Sequence, residues 1–154
     1  MSSATALADR LPSSGTSKLL GQRILDFDAT ASCVRVSFVA TSDFLNPAGF
    51  IQGGILAAMI DDSMGPSVWL TTEGKIFPVT IDLTVSYLGA ARRGSIFGEA
   101  RVVQLGKTIA FQHGCQLLAG VGDSGVLIGD AHLRISAPEL KSLPSVGTWR
   151  RNSR

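Results

Sequence analysis

The sequence predicts an α+β domain in which one long helix covers a face of an antiparallel sheet. Residues 52–70 carry an almost unbroken apolar stretch built on small and aliphatic side chains, too long for a strand and right for a helix. Four strand-like runs follow it with hardly a pause. Their connectors, Gly89–Gly94, Gly106-Lys107 and Gly120–Gly125, are two to six residues long. Links that short fit hairpins, because parallel strands need crossovers of a dozen residues or more.

Taken in order, residues 1–18 are rich in Ser, Ala and Thr with Pro12 and Gly15, and read as a flexible arm in which Leu7 and Leu11 could mark a helical turn. Leu19–Phe27 and Ser32–Val39 read as strands joined by the turn Asp28–Thr30. In the second, Val34, Val36 and Phe38 alternate with Cys33, Arg35 and Ser37, giving one apolar and one mixed face. A loop from Ala40 to Phe50, with Asn46, Pro47 and Gly49 as breakers, feeds the helix.

No polar face shows in that helix before Asp61, which predicts burial on all sides. Pro66 lies inside it. A proline has no N–H, so the carbonyl of Asp62 loses its helical partner and a kink or an end is expected there. After the turn Glu73–Lys75 come the strands Phe77–Leu88, Gly94–Leu105, Thr108–Ala119 and Gly125–Ser136, read as a meander. The division is an arm at 1–18, a domain at 19–137 and a tail at 138–154, where Trp149 could dock.

Composition narrows the function classes. At 154 residues, with 45% hydrophobic and 17% charged side chains, one globular domain with a real core is expected. A net charge of +2 is too small for a nucleic-acid partner, and Arg150, Arg151 and Arg154 sit in the solvated tail. Asp9 and Arg10 interrupt any leader pattern, and the apolar run from Gly53 to Ile60 is too short to span a bilayer. Cys33 and Cys115 read as free thiols in a reducing compartment. A soluble cytoplasmic protein, with no membrane partner, is the expectation.

Most candidate motifs dissolve on inspection. Gly120, Gly122 and Gly125 spell G-x-G-x-x-G, but strand-like Val126-Leu-Ile follows where a dinucleotide site needs a helix. The histidines and cysteines lack metal-ligand spacing, so no metal is expected. His113 alternates with Phe111, Cys115 and Leu117 and reads as a core histidine; His132 reads as exposed. No G-x-S-x-G elbow supports a serine triad.

The loop–glycine–helix stretch is different. Unpaired N–H groups at a helix start favour negative charge, and glycine lets a substrate oxygen approach the backbone, so Gly53 and Gly54 could donate to a developing oxyanion. Asp61 shares a face with Gly54, Ala57, Ala58 and Gly65, all small, which leaves room beside its carboxylate. Asp62 points about 100° away, so the two acids should not serve one point in space. A purely structural Asp61 stays open on spacing alone.

Asn46, Gln52, the Gly53-Gly54 pair and Asp61, at this spacing, resemble the hotdog-fold acyl-CoA thioesterases, of the phenylacetate-degradation (PaaI-like) and 4-hydroxybenzoyl-CoA thioesterase type. The likeness continues through Phe77–Leu88, the Gly89–Gly94 link and the Gly106-Lys107-Thr108 turn, and covers about residues 19–136. It departs at Gln52, where the family usually has a histidine. The resemblance implies an acyl-CoA substrate, no cofactor, and a sheet wrapped round the helix. It implies that Gly53 N–H polarises the thioester carbonyl, with Gly54 beside the substrate, and that Asp61 attacks the carbonyl or activates a water. Asn46 and Gln52 would orient substrate or water and Thr80 would hold the water. Arg92, Arg93, Lys107 and Thr108 would meet the CoA phosphates. It further implies a homodimer with sites between protomers and a tetramer made of two dimers. A non-catalytic CoA-binding module is the alternative, motivated by Gln52. A hydratase of the same fold would want a histidine, and residues 40–70 contain none.

Overall fold

The computed structural model of the chain describes residues 11, 12, 14–107, 109–118 and 126–136, the side chains of 115–118 and 126–136 apart. Its axis is the helix α2 (Gly53–Thr71), which follows a five-residue helix, α1 (Gly15–Leu19). Six strands wrap it: β1 (Arg23–Asp28), β2 (Cys33–Ala40), β3 (Val79–Tyr87), β4 (Gly94–Leu105), β5 (Ile109–Leu118) and β6 (Val126–Ser136). All neighbours are antiparallel, in the order β1-β2-β4-β5-β6-β3.

The meander is therefore shorter than the sequence predicts. β4, β5 and β6 are joined as hairpin neighbours, but β3 does not pair with β4; it closes the far edge against β6, with Thr84 opposite His132. β4 is already held by β2 on its other side, with Val36 opposite Gly98. The chain between β3 and β4 must then cross three strand spacings, roughly 14 Å. Residues 88–93 can do so, since an extended residue spans about 3.5 Å. Midway, Ala91 is buried and its carbonyl accepts from Ile51 N–H at 2.8 Å, so this link passes the start of α2.

Glycines let the helix press on the sheet. A Cβ at Gly98 would lie 2.7 Å from Ser63 Oγ, and one at Gly114 would lie 2.5 Å from Met64 Cε. Leu56, Met59, Ile60, Met64 and Val68 fill the core with Val34, Val36, Phe38 and Ile96. Burial is not uniform round the helix. Its second half, Pro66 to Leu70, is buried throughout, but in the first half Gly54 is exposed and Ala57, Ala58 and Asp61 are only half-buried. The sheet covers one side of that half and leaves the small-residue face open.

Pro66 neither ends the helix nor leaves a carbonyl stranded. α2 continues to Thr71, and the Asp62 carbonyl accepts from Gln22 Nε2 at 2.5 Å. β1 begins at Arg23 rather than Leu19 because the chain is helical through Leu19 and turns at Gly21, whose φ is +64°. The β1–β2 turn is an Asx turn, with Asp28 Oδ1 accepting from Thr30 N–H at 2.8 Å.

His113 corrects a second expectation. On β5 the core positions go to Ala110, Gln112 and Gly114, whereas Phe111 is exposed and His113 half-exposed. Small residues occupy the inner face because the helix approaches closely there, which inverts the apparent polarity of the strand. The Oε1 of Gln112 is met by Ser67, whose hydroxyl lies 2.5 Å away, while its Nε2 is buried with no partner among the described residues. Thr108, the glycine string at 120–125, and the tail with Trp149 and its arginines lie outside the described residues.

Candidate active site

Two groups of residues form around α2, one at its N-terminus and one in its middle. The first is made by the loop. Asn46 Oδ1 accepts from the N–H groups of Ala48 (3.0 Å) and Phe50 (3.2 Å), and Asn46 N–H donates to the Phe50 carbonyl at 2.7 Å. Asn46 thus shapes the turn that carries Gly49 at φ +80°. The chain then enters the helix through Gln52, an exposed N-cap residue whose side chain makes no capping bond.

Gly53 and Gly54 are the first two helical residues, and among the described residues nothing accepts from their N–H groups. A Cβ at Gly54 would meet nothing within 4 Å, so its approach is open, whereas one at Gly53 would sit 3.3 Å from the Tyr87 ring. Tyr87, unremarked in the sequence, donates its hydroxyl to the Gly53 carbonyl at 2.8 Å and braces the helix start from the edge strand. The Arg92 guanidinium stacks 4.8 Å above the Phe50 ring, on the same side. Arg93 is exposed next to it. Lys107 is also exposed but stands at the other end of β4, roughly 36 Å of strand away.

The second group centres on Asp61. It lies eight positions after Gly53, which is about 12 Å along the helix axis. Thr80, at the start of β3, donates to Asp61 Oδ1 at 2.7 Å. Asp61 opens on a cleft of about 270 Å³, floored by Ala58, Asp61, Asp62 and Gly65 and walled by Phe77, Pro78 and Thr80. Its outer wall is the segment from Leu11 to Gln22.

Asp62 lines this cleft as well, which modifies the expectation that the two acids face apart. They flank one groove from two sides: Asp61 reaches Thr80, and Asp62 Oδ1 accepts from Ser17 Oγ at 3.0 Å. Burial, with Asp61 nearby, pushes the Asp62 carboxyl above the usual range, against the opposing pull of the Ser17 hydrogen bond. Nothing in the helical pattern marked Ser17 or Gln22, because Ser17 comes from the segment read as an arm and Gln22 from the stretch read as the first strand.

Other chemistry finds little support. Cys33 is buried and free, and burial followed by the neighbouring Glu99 carboxylate pushes its thiol up, away from thiolate chemistry. Among the described residues no three His, Cys, Asp or Glu side chains gather as metal ligands would. Nor is any helix among them long and apolar enough to cross a membrane.

The glycine pair, Asp61 and Thr80 lie inside residues 48–114, which the thioesterase superfamily model matches, and Asn46 falls just before them. The chain is 30% identical to a phenylacetic acid degradation-related protein of Ralstonia eutropha JMP134, with a TM-score of 0.75 over 86% of this chain and 97% of that one. A thioesterase family protein of Silicibacter pomeroyi shares the fold at 19% identity and a TM-score of 0.76, over 87% and 96% of the two chains. So does the E. coli PaaI protein of the phenylacetic acid degradation operon, at 18% identity and a TM-score of 0.73, over 88% and 93%. No curated protein matches the chain.

Proposed function

Since the chain is a hotdog-fold member of the thioesterase superfamily, we propose that it hydrolyses the thioester of an acyl-CoA with a small, aryl or medium acyl group. The observation that carries this reading is Asp61, held by Thr80 at the mouth of a cleft on the same helix whose first N–H groups are open. The thioester carbonyl accepts from Gly53 N–H, with Gly54 leaving room for its approach. Asp61 then either attacks the acyl carbon or takes a proton from a water that attacks it. On either route the C–S bond breaks, CoA leaves as the thiol and the acyl group leaves as its carboxylate. Gln52 orients the carbonyl or the water by hydrogen bonding, and Asn46 contributes through the loop it shapes.

Within one protomer the two halves of this site are about 12 Å apart, too far for a group that must approach within about 3.5 Å of the carbon it attacks. A second copy closes the gap. β3 is an edge strand whose Val79, Ile81 and Tyr87 are about half exposed. Antiparallel pairing of two β3 strands about a two-fold axis near the middle of the strand brings the Thr80 end of one strand beside the Tyr87 end of the other. Thr80 carries Asp61 and Tyr87 braces Gly53, so each acid comes beside the other copy's helix start. The proposed enzyme is thus a homodimer with two shared sites, and two dimers would make the tetramer. Arg92 and Arg93, beside Gly53, meet the CoA phosphates; Lys107, at the far end of β4, serves a CoA bound to another protomer, and Thr108 follows it in the sequence.

The test is thiol release from a panel of short, aryl and long acyl-CoAs, parent beside Asp61→Asn. Hydrolysis lost in the variant, with the dimer intact, supports the reading; no hydrolysis of any panel member by the parent removes it. The second reading, a CoA-binding protein without turnover, is favoured by the non-titrating Gln52. It predicts thermal stabilisation by acyl-CoA with no thiol released.

A further inference from the structure

We propose that residues Leu11–Gln22 are the specificity-determining wall of the cleft beside Asp61, with Asp62 as the positioning residue that pins them. This rests on the acyl-CoA reading, for it takes the cleft to be where the acyl group lies. The cleft has only three sides: the small-residue face of α2, the start of β3, and this segment. The first two belong to the wrapped sheet and helix and cannot move without disturbing the core. The third is held, among the described residues, by a few hydrogen bonds.

At its base the segment is anchored in the fold. Leu20 is 1% exposed, and its carbonyl accepts from Val39 N–H at 3.0 Å. Two hydrogen bonds then tie it to the acid-bearing turn of α2: Ser17 Oγ to Asp62 Oδ1, and Gln22 Nε2 to the Asp62 carbonyl that Pro66 leaves without a helical donor. Both attachments therefore converge on Asp62, one residue from the proposed catalytic acid. Beyond them Leu11 is half-buried against the core and Pro12 lies beside it, so apolar side chains line this side of the cleft. Ser14 caps α1 by accepting from Ser17 N–H at 2.9 Å, which holds that end in line.

The volume gives the wall a measurable consequence. At roughly 30 Å³ per non-hydrogen atom, about that of a water in the liquid, 270 Å³ accepts about nine such atoms. That is an arylacetyl group or a straight chain of about eight carbons. Longer chains must displace Leu11 and Pro12.

The experiment measures binding of non-hydrolysable alkyl-CoA thioethers of rising length by titration calorimetry, with turnover of the matching acyl-CoAs in parallel. For the parent, affinity should rise about fourfold per methylene and level off near eight carbons. In Leu11→Gly, and in Ser17→Ala as a gentler change to the tether, levelling should shift by two carbons or more. A levelling point identical in parent and both folded variants overturns the proposal. Binding that levels and shifts as expected, with no turnover in any protein, supports the wall while removing the hydrolase reading, so the two failures are separable.

Discussion

The hydroxyl of Thr80 donates to Oδ1 of Asp61 at 2.7 Å, joining the middle of the helix to the edge strand. That bond fixes one carboxylate oxygen and leaves the other for chemistry. A hydrogen bond to a charged group contributes about 1.5–3 kcal/mol. Thr80→Val is expected to lower kcat/KM by on the order of 10- to 100-fold with the melting temperature little changed, and Thr80→Ser to retain most activity. Asp61→Asn removes the group proposed to react, and its loss should be larger, on the order of 10²–10⁴ in kcat.

Gly53 offers a way to delete an N–H without breaking the helix. It is the first helical residue, where proline is tolerated, and Gln52 before it has φ −59° and ψ 133°, which a following proline accepts. Gly53→Pro should therefore keep the helical circular dichroism while kcat falls about 10²–10³-fold, as for loss of an oxyanion donor. Tyr87, half exposed, has only to shift slightly to admit the ring.

Mixing that variant with Asp61→Asn distinguishes shared from single-protomer sites. After unfolding and refolding at equal amounts, half the dimers pair unlike chains, and each of those has one of two sites with both groups intact. About a quarter of parental activity should return. A site contained in one protomer would return none.

The pair Gln22 and Pro66 makes a coupling that urea unfolding can read. Gln22→Ala leaves the Asp62 carbonyl without a donor, at a cost of about 1–3 kcal/mol. In a Pro66→Ala background the backbone N–H returns and takes that carbonyl, so the same change should cost markedly less. Additive losses would show that Gln22 acts some other way.

Asp62 predicts a pH dependence. Its native pKa lies above the ordinary 3.8 because burial penalises the charged form. The unfolded chain therefore ionises at lower pH than the native one, and the group's favourable contribution, full below 3.8, is lost as pH rises through the raised native value. The melting temperature of Asp62→Asn relative to the parent should move upward across that window and stay level above it. A difference that does not change with pH would mean that the group titrates alike in both states.

Much of this was legible beforehand, for definable reasons. The helix at 52–70 was found within a residue at each end because its apolar run has no competitor. Strand positions were clear from alternation and glycine punctuation. Pairing was not, since a six-residue link between β3 and β4 suits a hairpin as well as a crossing over a curved sheet, and only competition for β4 decides between them. His113 was misplaced because glycine and alanine on the inner face of β5 do not look like core. In the site, helical spacing pointed to Asp61 and the family resemblance added Thr80, but neither reached Tyr87, Ser17 and Gln22, whose roles depend on contacts 34 to 45 residues distant in the chain.

Gly98 and Gly114 divide the helix into a face the sheet presses on and a face it leaves open. Where the sheet meets Ser63 and Met64, an added Cβ would crowd the Ser63 hydroxyl and the end of the Met64 side chain, and those groups would have to give way. Opposite, a side chain added at Gly65 would meet nothing within 4 Å, and Ala58 lines the cleft with it. Redesign of the proposed acyl preference therefore has a natural address, these two small residues and the segment facing them, set apart from the close contacts by which helix and sheet hold each other.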